Sequence, residues 1–547
     1  MIHRAATPLD EQIYPPDWRS WQDPPIPEYF NGCEHLFARH LRDTTAHKPA
    51  LIVDDVPISY RDLWSLITRA ATGLRALGLR PGERILLFAT DSVEYLAVWL
   101  GAIHAGVVPA VVSDLYKHPE LLYFLDDTAA RALFIDAEQL GKLAEITSHL
   151  PISLEHIIIR GEATPAQPPR IVTTIAQLLA TQADPPAHQA HRNDICYMFY
   201  SGGTTGTAKG IVHLTHDFIV VPARQGAFWN YRAHDVVFAT SRKYFTHGLW
   251  PGVLIPLSVG ATAVILRQAP DPAALLTAID RARVSKLITV PTIIKLLVEH
   301  RATAQPRSDF SSVEMVVSAS EKMPPSLFER FNELFGVEIF DSIGSAEVTY
   351  EWIANRPGQS RRGSLGKPVF GYEIRLVDAD GNDIVEPEIP GQVWVKSNTS
   401  CFFYWRKFDK SRETFIGPWT ITGDNLYVDK DGFFWFAGRE DDVFKVKGLW
   451  VSPIEIEAAI TAHPAVLEAA VVAVTSTTGL TVPHAQVVVR AGATADDALV
   501  LALKDRVKIL GGYKVPEKIE FVAQLPRTTL LKIDRRAIRL ALAAGRA

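Results

Sequence analysis

A stretch rich in glycine and hydroxyl side chains, with one lysine, directly follows the apolar run Ile195 to Tyr200. Its residues are Ser201, Gly202, Gly203, Thr204, Thr205, Gly206, Thr207, Ala208, Lys209 and Gly210. Glycines let the backbone bring several N–H groups onto one anion, while hydroxyls and a lysine add donors and positive charge. The stretch therefore predicts a phosphate-binding loop, with a nucleotide as the expected ligand. A solvated hairpin turn or linker has a similar composition.

The spacing of this loop differs from the common phosphate-binding motif G-x-x-x-x-G-K-[ST], in which a helix follows at once. Lys209 lies before Gly210, and the β-like run 210–214 comes before a helix that we expect from about Thr215. We therefore expect the loop to be the tip of a hairpin. It would bind phosphate with backbone amides and hydroxyls, and a helix dipole would contribute little to this binding.

Length and composition indicate a large multidomain protein with ordinary globular character. The chain has 547 residues, of which 47% are hydrophobic and 21% charged, and a typical domain has only ~100 to 200 residues. The formal net charge of −5 and the absence of a basic stripe argue against nucleic acid as a partner.

Cysteine usage and hydropathy indicate the compartment. Three cysteines lie far apart without a C-x-x-C pair, which favours a reducing cytoplasm. The proline-rich N-terminus lacks the pattern of a signal peptide, and we expect it to pack as an irregular arm. The apolar run 253–266 is interrupted by proline and glycine and is shorter than the ~20 residues of a membrane span. We expect a cytoplasmic protein without a membrane span, and the sequence leaves a homodimer open.

Strand-like runs alternate with helical patterns through the first part of the chain. A helical pattern begins at Ser59 with Asp62 three positions later, and a second covers about Ser92 to Ala105. The strand-like runs are Ile85 to Phe88, Val107 to Val112, Ala132 to Ile135, Val236 to Thr240, Ala261 to Leu266, Lys286 to Val290 and Met315 to Ser318. This βαβ rhythm predicts an α/β fold with parallel-rich sheets, and ligands at loops beyond the strand ends.

Shorter strands and turns follow after about residue 370 and predict a β-rich subdomain over about 370–440. Residues 441–547 have the pattern of a small α+β unit. Within it, Ser452, Pro453 and Glu455 predict a helix with an N-cap, a proline in its first turn and a capping box. The predicted organisation is a large N-terminal domain over 1–440 and a small C-terminal domain over 441–547.

Four further segments accompany the glycine-rich loop. They are Ile343-Gly344-Ser345-Ala346-Glu347, Thr422-Gly423-Asp424, Gly438-Arg439 continuing through Asp441 and Lys445 to Gly448, and 525–532 ending in Lys532. In this order and at these separations they resemble the adenylate-forming superfamily of acyl-CoA synthetases, adenylation domains and luciferases. The resemblance covers nearly the whole chain. Residues 258–262, 343–345 and 355–358 are most similar to benzoate-type CoA ligases.

The resemblance implies an acid–CoA ligase that uses ATP, Mg²⁺ and coenzyme A. A carboxylate cannot acylate a thiol directly because its leaving group would be oxide, so ATP first converts it into an acyl-AMP and releases pyrophosphate. The thiol of coenzyme A then displaces AMP. Residues 1–440 would be the adenylation domain, and the mobile domain 441–547 would turn about the hinge Asp441 between the half-reactions. An aromatic or cyclic, benzoate-like carboxylic acid is the expected small-molecule substrate.

The resemblance also implies roles at the nucleotide. Glu347 and Thr205 would bind Mg²⁺, Ser345 would contact the phosphates, and Asp424 would accept both ribose hydroxyls. Arg439 would contact ribose or phosphate with its fork of N–H donors. Ordinary alternatives are a surface salt bridge for Glu347, a turn cap for Asp424, and pairing of Arg439 with the acidic residues that follow it.

Two lysine-containing segments would serve the two half-reactions. Lys532 would be the catalytic residue of adenylation, where its ammonium neutralises the carboxylate and the α-phosphate oxygens. The segment from Lys445 to Gly448 would be presented for thioester formation, with Gly448 leaving room for the pantetheine arm. A solvated lysine near a C-terminus is the alternative for Lys532.

The resemblance places five residues at the acyl pocket. His247 would orient the carboxylate or gate the tunnel, and a packed core histidine is the alternative. The other four candidates are Trp250, Ser320, Ile343 and Gly344. Aromatic and aliphatic residues at such positions are usually core.

Four residues depart from the family pattern. Gly202 replaces a serine, Ala208 a proline, Ala346 a threonine and Leu531 a glycine. Ala346 lacks a hydroxyl that family members direct at the α-phosphate, a hydrogen bond worth ~1.5 to 3 kcal/mol, so Ser345 or a water would have to replace it. Three alternatives stay open: a medium-chain fatty acyl-CoA ligase, an enzyme that loads a carrier protein, and a non-catalytic nucleotide-binding protein.

Overall fold

The computed structural model describes residues 21–547 except 43, 163–169, 182–184, 202–206, 269–270, 304–307, 322, 440–443, 447–448, 477–479, 529–532, 544 and 546–547. The chain divides into two compact units. The first contains residues 1–201, 208–374 and 395–420, and the second contains 202–207, 375–394 and 421–547. The predicted α/β class is confirmed, while the predicted boundary between 440 and 441 stays a prediction.

The first unit contains an eight-stranded sheet whose centre is parallel. Its strands lie in the order Tyr404–Trp405, Lys209–Leu214, Ile195–Ser201, Val108–Val111, Arg84–Phe88, Ala132–Asp136, His156–Arg160 and Ile171–Thr174. Ile195–Ser201 pairs in parallel with Val108–Val111 and antiparallel with Lys209–Leu214, so that Ser201 lies opposite Lys209. The predicted hairpin is therefore confirmed.

A nine-stranded sheet forms the other large layer of the first unit. Its strands lie in the order Lys367–Pro368, Glu351–Ala354, Ile339–Gly344, Met315–Ser318, Lys286–Thr289, Val236–Ala239, Thr262–Ile265, Pro49–Val53 and Val56–Ser59. The pairs in its centre are parallel, and Ile339–Gly344 pairs antiparallel with Glu351–Ala354. Residues 345–350 connect these two strands at the edge region of the sheet.

Local signals explain the principal helices of the first unit. The Ser59 side chain accepts a hydrogen bond from the Asp62 N–H at 3.0 Å, so the helix start predicted at Ser59 is confirmed. Ser92 also caps its helix, because its side chain accepts a hydrogen bond from the Tyr95 N–H at 3.0 Å. The α-helices are Gly32–Phe37, Tyr60–Ala76, Val93–Ala105, His118–Thr128, Leu140–Glu145, Ile175–Leu178, Asp217–Phe228, Thr246–Leu249, Ile255–Val259, Pro272–Ala282, Pro291–Thr303, Pro325–Phe335 and Phe408–Thr414.

In the described part of the chain, no helix is long and apolar enough to cross a membrane.

Antiparallel strands dominate the region after residue 370. Glu373–Val377, Gly391–Lys396, Trp419–Val428, Phe415–Ile416 and Phe434–Arg439 form a five-stranded sheet. Phe444–Val446 and Leu449–Val451 form a hairpin. A three-stranded sheet of Val466–Thr475, Thr481–Val489 and Lys518–Phe521 packs with helices Pro453–Thr461, Asp497–Lys508 and Arg535–Ala543. A contiguous apolar core, with members from Phe444 to Ile519, lies between this sheet and its helices.

In the second unit, Ser452 is at the predicted N-cap position, but the predicted capping box does not form. Pro453 does begin the helix Pro453–Thr461, but Ser452 makes no capping hydrogen bond with its side chain. The Ser452 hydroxyl is buried without a partner in the described structure. Glu455 instead pairs with Lys514, which is 59 residues away, so its carboxylate does not complete a capping box.

Candidate active site

Tyr404 joins the lysine of the glycine-rich stretch to the predicted magnesium ligand. Its hydroxyl donates to Glu347 Oε1 at 2.8 Å, and Lys209 Nζ lies 4.6 Å from the centre of its ring. Burial and then the nearby Glu347 raise the pKa of Tyr404 far above its usual value, so the hydroxyl stays protonated and donates. The strands Tyr404–Trp405 and Lys209–Leu214 are neighbours, and this pairing brings the three side chains together.

Two predicted phosphate-binding serines are buried without hydrogen-bond partners. The hydroxyls of Ser201 and Ser345 contact no donor or acceptor within hydrogen-bonding reach in the described part of the chain. A buried hydroxyl without a partner is uncommon and needs an explanation. Both can donate to a phosphate oxygen, as predicted. Gly202, Gly203, Thr204, Thr205 and Gly206 lie outside the described residues.

The segment between Gly344 and Glu351 is a tight hairpin. Gly344 is the strand partner of Glu351, and a Cβ atom on Gly344 would lie 2.5 Å from the Tyr350 carbonyl oxygen. Only glycine fits this approach. Residues Ala346–Val348 form a 3₁₀ turn, and Thr349 follows with φ of 76°, a conformation that costs a β-branched residue free energy. Thr349 Oγ1 donates to the Thr399 carbonyl at 2.8 Å, which stabilises this conformation.

A buried network supports this hairpin at Ala346. His213 Nε2 lies 2.8 Å from the Ala346 carbonyl oxygen, and His213 Nδ1 lies 3.0 Å from Asp217 Oδ2. Both ring nitrogens face oxygen atoms, so the ring links the Ala346 carbonyl to the Asp217 carboxylate. Tyr197 donates to the same carboxylate at 2.7 Å and its ring stacks on His213 at 4.9 Å. The network therefore fixes the backbone of the residue where the family has threonine.

Sequence reasoning missed Tyr404 and the His213 network. The single local signal was the spacing of four between His213 and Asp217, and it crosses from the end of a strand into a helix. Tyr404 lies 57 residues after Glu347, so no short motif connects the two. These partners become visible only when the strands are assembled.

His247 lies beside the same hairpin. It is buried in the helix Thr246–Leu249, where its Nε2 donates to the Thr289 carbonyl at 3.1 Å. Its Nδ1 lies 3.7 Å from Glu351 Oε1, and its ring centre is 5.8 Å from that of Tyr350. Of the predicted pocket residues, His247, Ile343 and Gly344 therefore lie around the start of the strand Glu351–Ala354.

The remaining pocket candidates occupy separate positions. Trp250 is fully buried, its ring lies 6.0 Å from that of Tyr197, and its indole nitrogen has no hydrogen-bond partner in the described structure. Ser320 follows the strand Met315–Ser318 and has a φ of 73°. Non-glycine residues in this left-handed conformation often occur at functional sites.

In the second unit, Asp424 and Arg439 are paired with each other. They are partners across two antiparallel strands, and Arg439 Nη1 lies 2.8 Å from Asp424 Oδ1. The carboxylate is buried, whereas the arginine side chain is 49% exposed. Asp441, Gly448 and Lys532 lie outside the described residues, and Lys445 is described only as backbone of the strand Phe444–Val446.

The acidic residues of the site suit a metal that also binds phosphate. Among the described residues, no group of three or more histidine, cysteine, aspartate or glutamate side chains could hold a metal ion. Glu347 thus offers a single carboxylate here. Mg²⁺ commonly takes one or two protein carboxylates and completes its shell with water and substrate phosphates, so Glu347 fits that ion.

Comparison with known protein families identifies the superfamily of this chain. Residues 37–405 match the model of the AMP-binding enzyme family, and residues 455–532 match that of the AMP-binding enzyme C-terminal domain. The chain belongs to the AMP-binding enzyme family. The predicted resemblance to adenylate-forming enzymes is therefore confirmed.

Curated relatives and solved structures show the same similarity over nearly full length. The chain is 36% identical over 520 residues to the benzoate–CoA ligase of Thauera aromatica, which covers 94% of this chain and 97% of the relative. Identity is 34% to the 4-hydroxybenzoate–CoA/benzoate–CoA ligase of Rhodopseudomonas palustris, with 94% of each chain covered. A crystal structure of the anthranilate CoA ligase AuaEII in complex with anthranoyl-AMP is similar with a TM-score of 0.88 and 36% identity, covering 95% of this chain and 99% of that one.

Proposed function

We propose that this protein is an ATP-dependent, AMP-forming acid–CoA ligase that activates an aromatic carboxylic acid as its acyl-AMP. The family match and the benzoate–CoA ligase relatives support this reaction. The observation that carries it is the contact of Lys209 and Glu347 with one tyrosine, because this contact joins the phosphate loop to the proposed metal ligand. A small-molecule acid is therefore the expected partner.

The described residues would serve the nucleotide as follows. Ser201 and Ser345 would donate their unpaired hydroxyls to phosphate oxygens, and Lys209 would add positive charge. Glu347, together with Thr205, would hold Mg²⁺, which supplies charge neutralisation of the phosphates when bound. Ser345 would replace the hydroxyl that Ala346 lacks.

Other roles rest on the family resemblance. Asp424 and Arg439 would contact the ribose, with the arginine orienting the carboxylate through their ion pair. Lys532 would stabilise charge in the adenylation step, and the segment of Lys445 and Gly448 would serve thioester formation. The domains 1–440 and 441–547, with the hinge at Asp441, complete this proposal.

The test is product analysis with purified protein, ATP, Mg²⁺ and coenzyme A. The acids should include benzoates, cyclohexane carboxylates and C4 to C10 fatty acids. We expect equal amounts of AMP, pyrophosphate and acyl-CoA, with an aromatic acid as the best substrate. A preference for C4 to C10 acids would favour a fatty acyl-CoA ligase, and acyl transfer to a carrier protein but not to free coenzyme A would contradict the CoA ligase proposal.

A further inference from the structure

The carboxyl group of Glu351 is buried without a hydrogen bond in the first unit. The residue is 1% exposed, and neither Oε1 nor Oε2 has a hydrogen-bond partner of ordinary geometry in the described structure. Leaving a buried carboxyl group unpaired is energetically unfavourable, because the group has lost its water and gained no other partner. Native proteins retain such a group where a ligand supplies the missing partner or where its chemistry is used.

Further polar atoms around this carboxyl group are also unpaired. The Trp229 indole nitrogen and the Tyr350 hydroxyl are buried without hydrogen-bond partners, although both lie close enough to lower the pKa of Glu351, as does Ser342. Burial is the larger effect and raises that pKa to about 8. Several polar groups thus approach one another without pairing, as expected where a bound polar group lies among them.

The position of Glu351 connects it to the proposed acid-binding residues. Its strand partner is Gly344, and His247 Nδ1 lies 3.7 Å from its Oε1. The His247 Nε2 hydrogen is already used by the Thr289 carbonyl, so Nδ1 is the ring nitrogen that faces Glu351. At 3.7 Å this nitrogen is too far from Oε1 for a hydrogen bond, and neither Glu351 oxygen has one in the described structure.

We propose that Glu351, together with His247, determines specificity for an aromatic acid that carries an amino or hydroxyl substituent on its ring. The substituent donates its N–H or O–H to an oxygen of the Glu351 carboxyl group. This inference rests on the proposed ligase function and specifies its substrate class. An unsubstituted benzoate leaves the carboxyl group unpaired, and sites built to bind a substrate hydroxyl or amine discriminate strongly against analogues that lack it.

The experiment compares kcat/KM for benzoate and for its amino-, hydroxy- and fluoro-derivatives at each ring position. Fluorine is similar in size to the hydroxyl but donates no hydrogen bond, so each fluorobenzoate is the matched control for size. For the wild type, we expect at least one amino- or hydroxybenzoate to exceed its fluoro counterpart by ~100-fold. Comparing the amino and hydroxy series identifies which of the two donors is bound.

Variants at residue 351 then separate recognition from structure. Glu351→Gln keeps the shape but replaces one carboxyl oxygen with an NH₂ group, which accepts no hydrogen bond. We expect it to reduce the donor-to-fluoro ratio, which is kcat/KM for the amino or hydroxy acid divided by that for its fluoro counterpart, by tenfold or more (about 1.4 kcal/mol per tenfold). Glu351→Leu should reduce the ratio further and improve relative turnover of benzoate. Glu333→Gln, an exposed substitution on the helix Pro325–Phe335, is the matched control and should leave the ratio unchanged.

Different outcomes test the Glu351 inference and the ligase proposal separately. The Glu351 inference is overturned if the wild type has the same kcat/KM for the fluorobenzoates as for the amino- and hydroxybenzoates. It is also overturned if Glu351→Gln has the same donor-to-fluoro ratio of kcat/KM as the wild type. Should Glu351→Leu fail to fold by circular dichroism, the wild-type panel and Glu351→Gln still decide. If the wild type releases no AMP or pyrophosphate with any aromatic acid, the ligase proposal itself is wrong.

Discussion

Glu347 and Glu351 lie four residues apart on one hairpin and have opposite environments. Glu347 is partly exposed, and one of its oxygens accepts the Tyr404 hydroxyl at 2.8 Å. Glu351 is fully buried, and its oxygens have no hydrogen-bond partner in the described structure. The tight turn at Ala346–Val348 and the strained Thr349 separate the two carboxyl groups.

This comparison shows how one short segment serves two kinds of chemistry. A partly exposed carboxylate remains a good ligand for a hydrated cation, which suits the proposed magnesium role of Glu347. A desolvated carboxyl group interacts strongly with any donor that reaches it, because water no longer competes for the hydrogen bond. Burial, and not residue type, therefore assigns the different roles we propose for the two glutamates.

The largest expected effect comes from removing the histidine that supports the hairpin. His213→Phe keeps a ring to stack on Tyr197 but removes the contacts of His213 with the Asp217 carboxylate and the Ala346 carbonyl. We expect the free energy of unfolding to fall by about 3 to 5 kcal/mol, since two buried polar groups each lose a hydrogen-bond partner. Urea denaturation measures this loss. The double variant His213→Phe with Asp217→Leu should recover part of it, and a loss below about 1 kcal/mol in the single variant would contradict the supporting role of His213.

Replacing Glu347 should affect activity far more than stability. For Glu347→Gln, we expect kcat to fall by on the order of 10² to 10³, because a charged contact to the metal and phosphates is lost. Pyrophosphate release at several Mg²⁺ concentrations measures the change, with Glu333→Gln as the control. Unaltered Mg²⁺ dependence together with unaltered kcat would argue against Glu347 as the metal ligand.

A pH experiment tests the environment of Glu351. Burial raises its pKa from an ordinary 4.5 to about 8, so between these pH values the folded protein holds a proton that the unfolded chain has released. The protonated group therefore contributes stability that is present below pH 4.5 and is lost as pH rises to about 8. Relative to Glu351→Gln, the wild type should lose stability over this window.

The measurement is the difference in urea midpoints between wild type and variant from pH 5 to pH 8. Four titratable neighbours, namely His247, Asp341, Tyr350 and Tyr231, face Glu351 in both proteins, so most of their contribution cancels in the difference. A midpoint difference independent of pH would show that Glu351 is ionised throughout.

The smallest effect is expected at the Asp424 and Arg439 pair. Because the arginine is half exposed, Arg439→Ala should change the free energy of unfolding by less than about 1 kcal/mol. If the pair serves the ribose, KM for ATP should nevertheless rise several-fold. Lys410→Ala, which removes an exposed ion pair with Glu413, is the control. A KM for ATP equal to that of this control would remove Arg439 from the proposed nucleotide site.

Local sequence patterns predicted much of the fold. All seven strand-like runs of the first unit are strands whose ends agree within one residue, and the helix start at Ser59 forms as expected. These features depend on side-chain spacing and on neighbouring backbone groups. The capping box at Ser452 failed because a distant lysine, Lys514, competes for the glutamate.

The candidate site was predicted in part. The ordered motifs identified Lys209, Glu347 and His247. In the structure, Lys209 and Glu347 both contact Tyr404, and His247 lies beside Glu351. Neither Tyr404 nor Glu351 belongs to a short motif that carries chemistry. A hydrogen bond across 57 residues and the desolvation of a carboxyl group depend on which strands become neighbours.

By itself, the sequence determined the family, the βαβ rhythm and the residues able to contact phosphate, since these follow from residue type and short spacing. Tertiary structure decided how the strands divide between an eight-stranded and a nine-stranded sheet. It also decided that the His213 ring contacts the Ala346 carbonyl and that the Glu351 side chain is buried away from solvent. The physical reason is that burial and pairing depend on groups brought from distant parts of the chain.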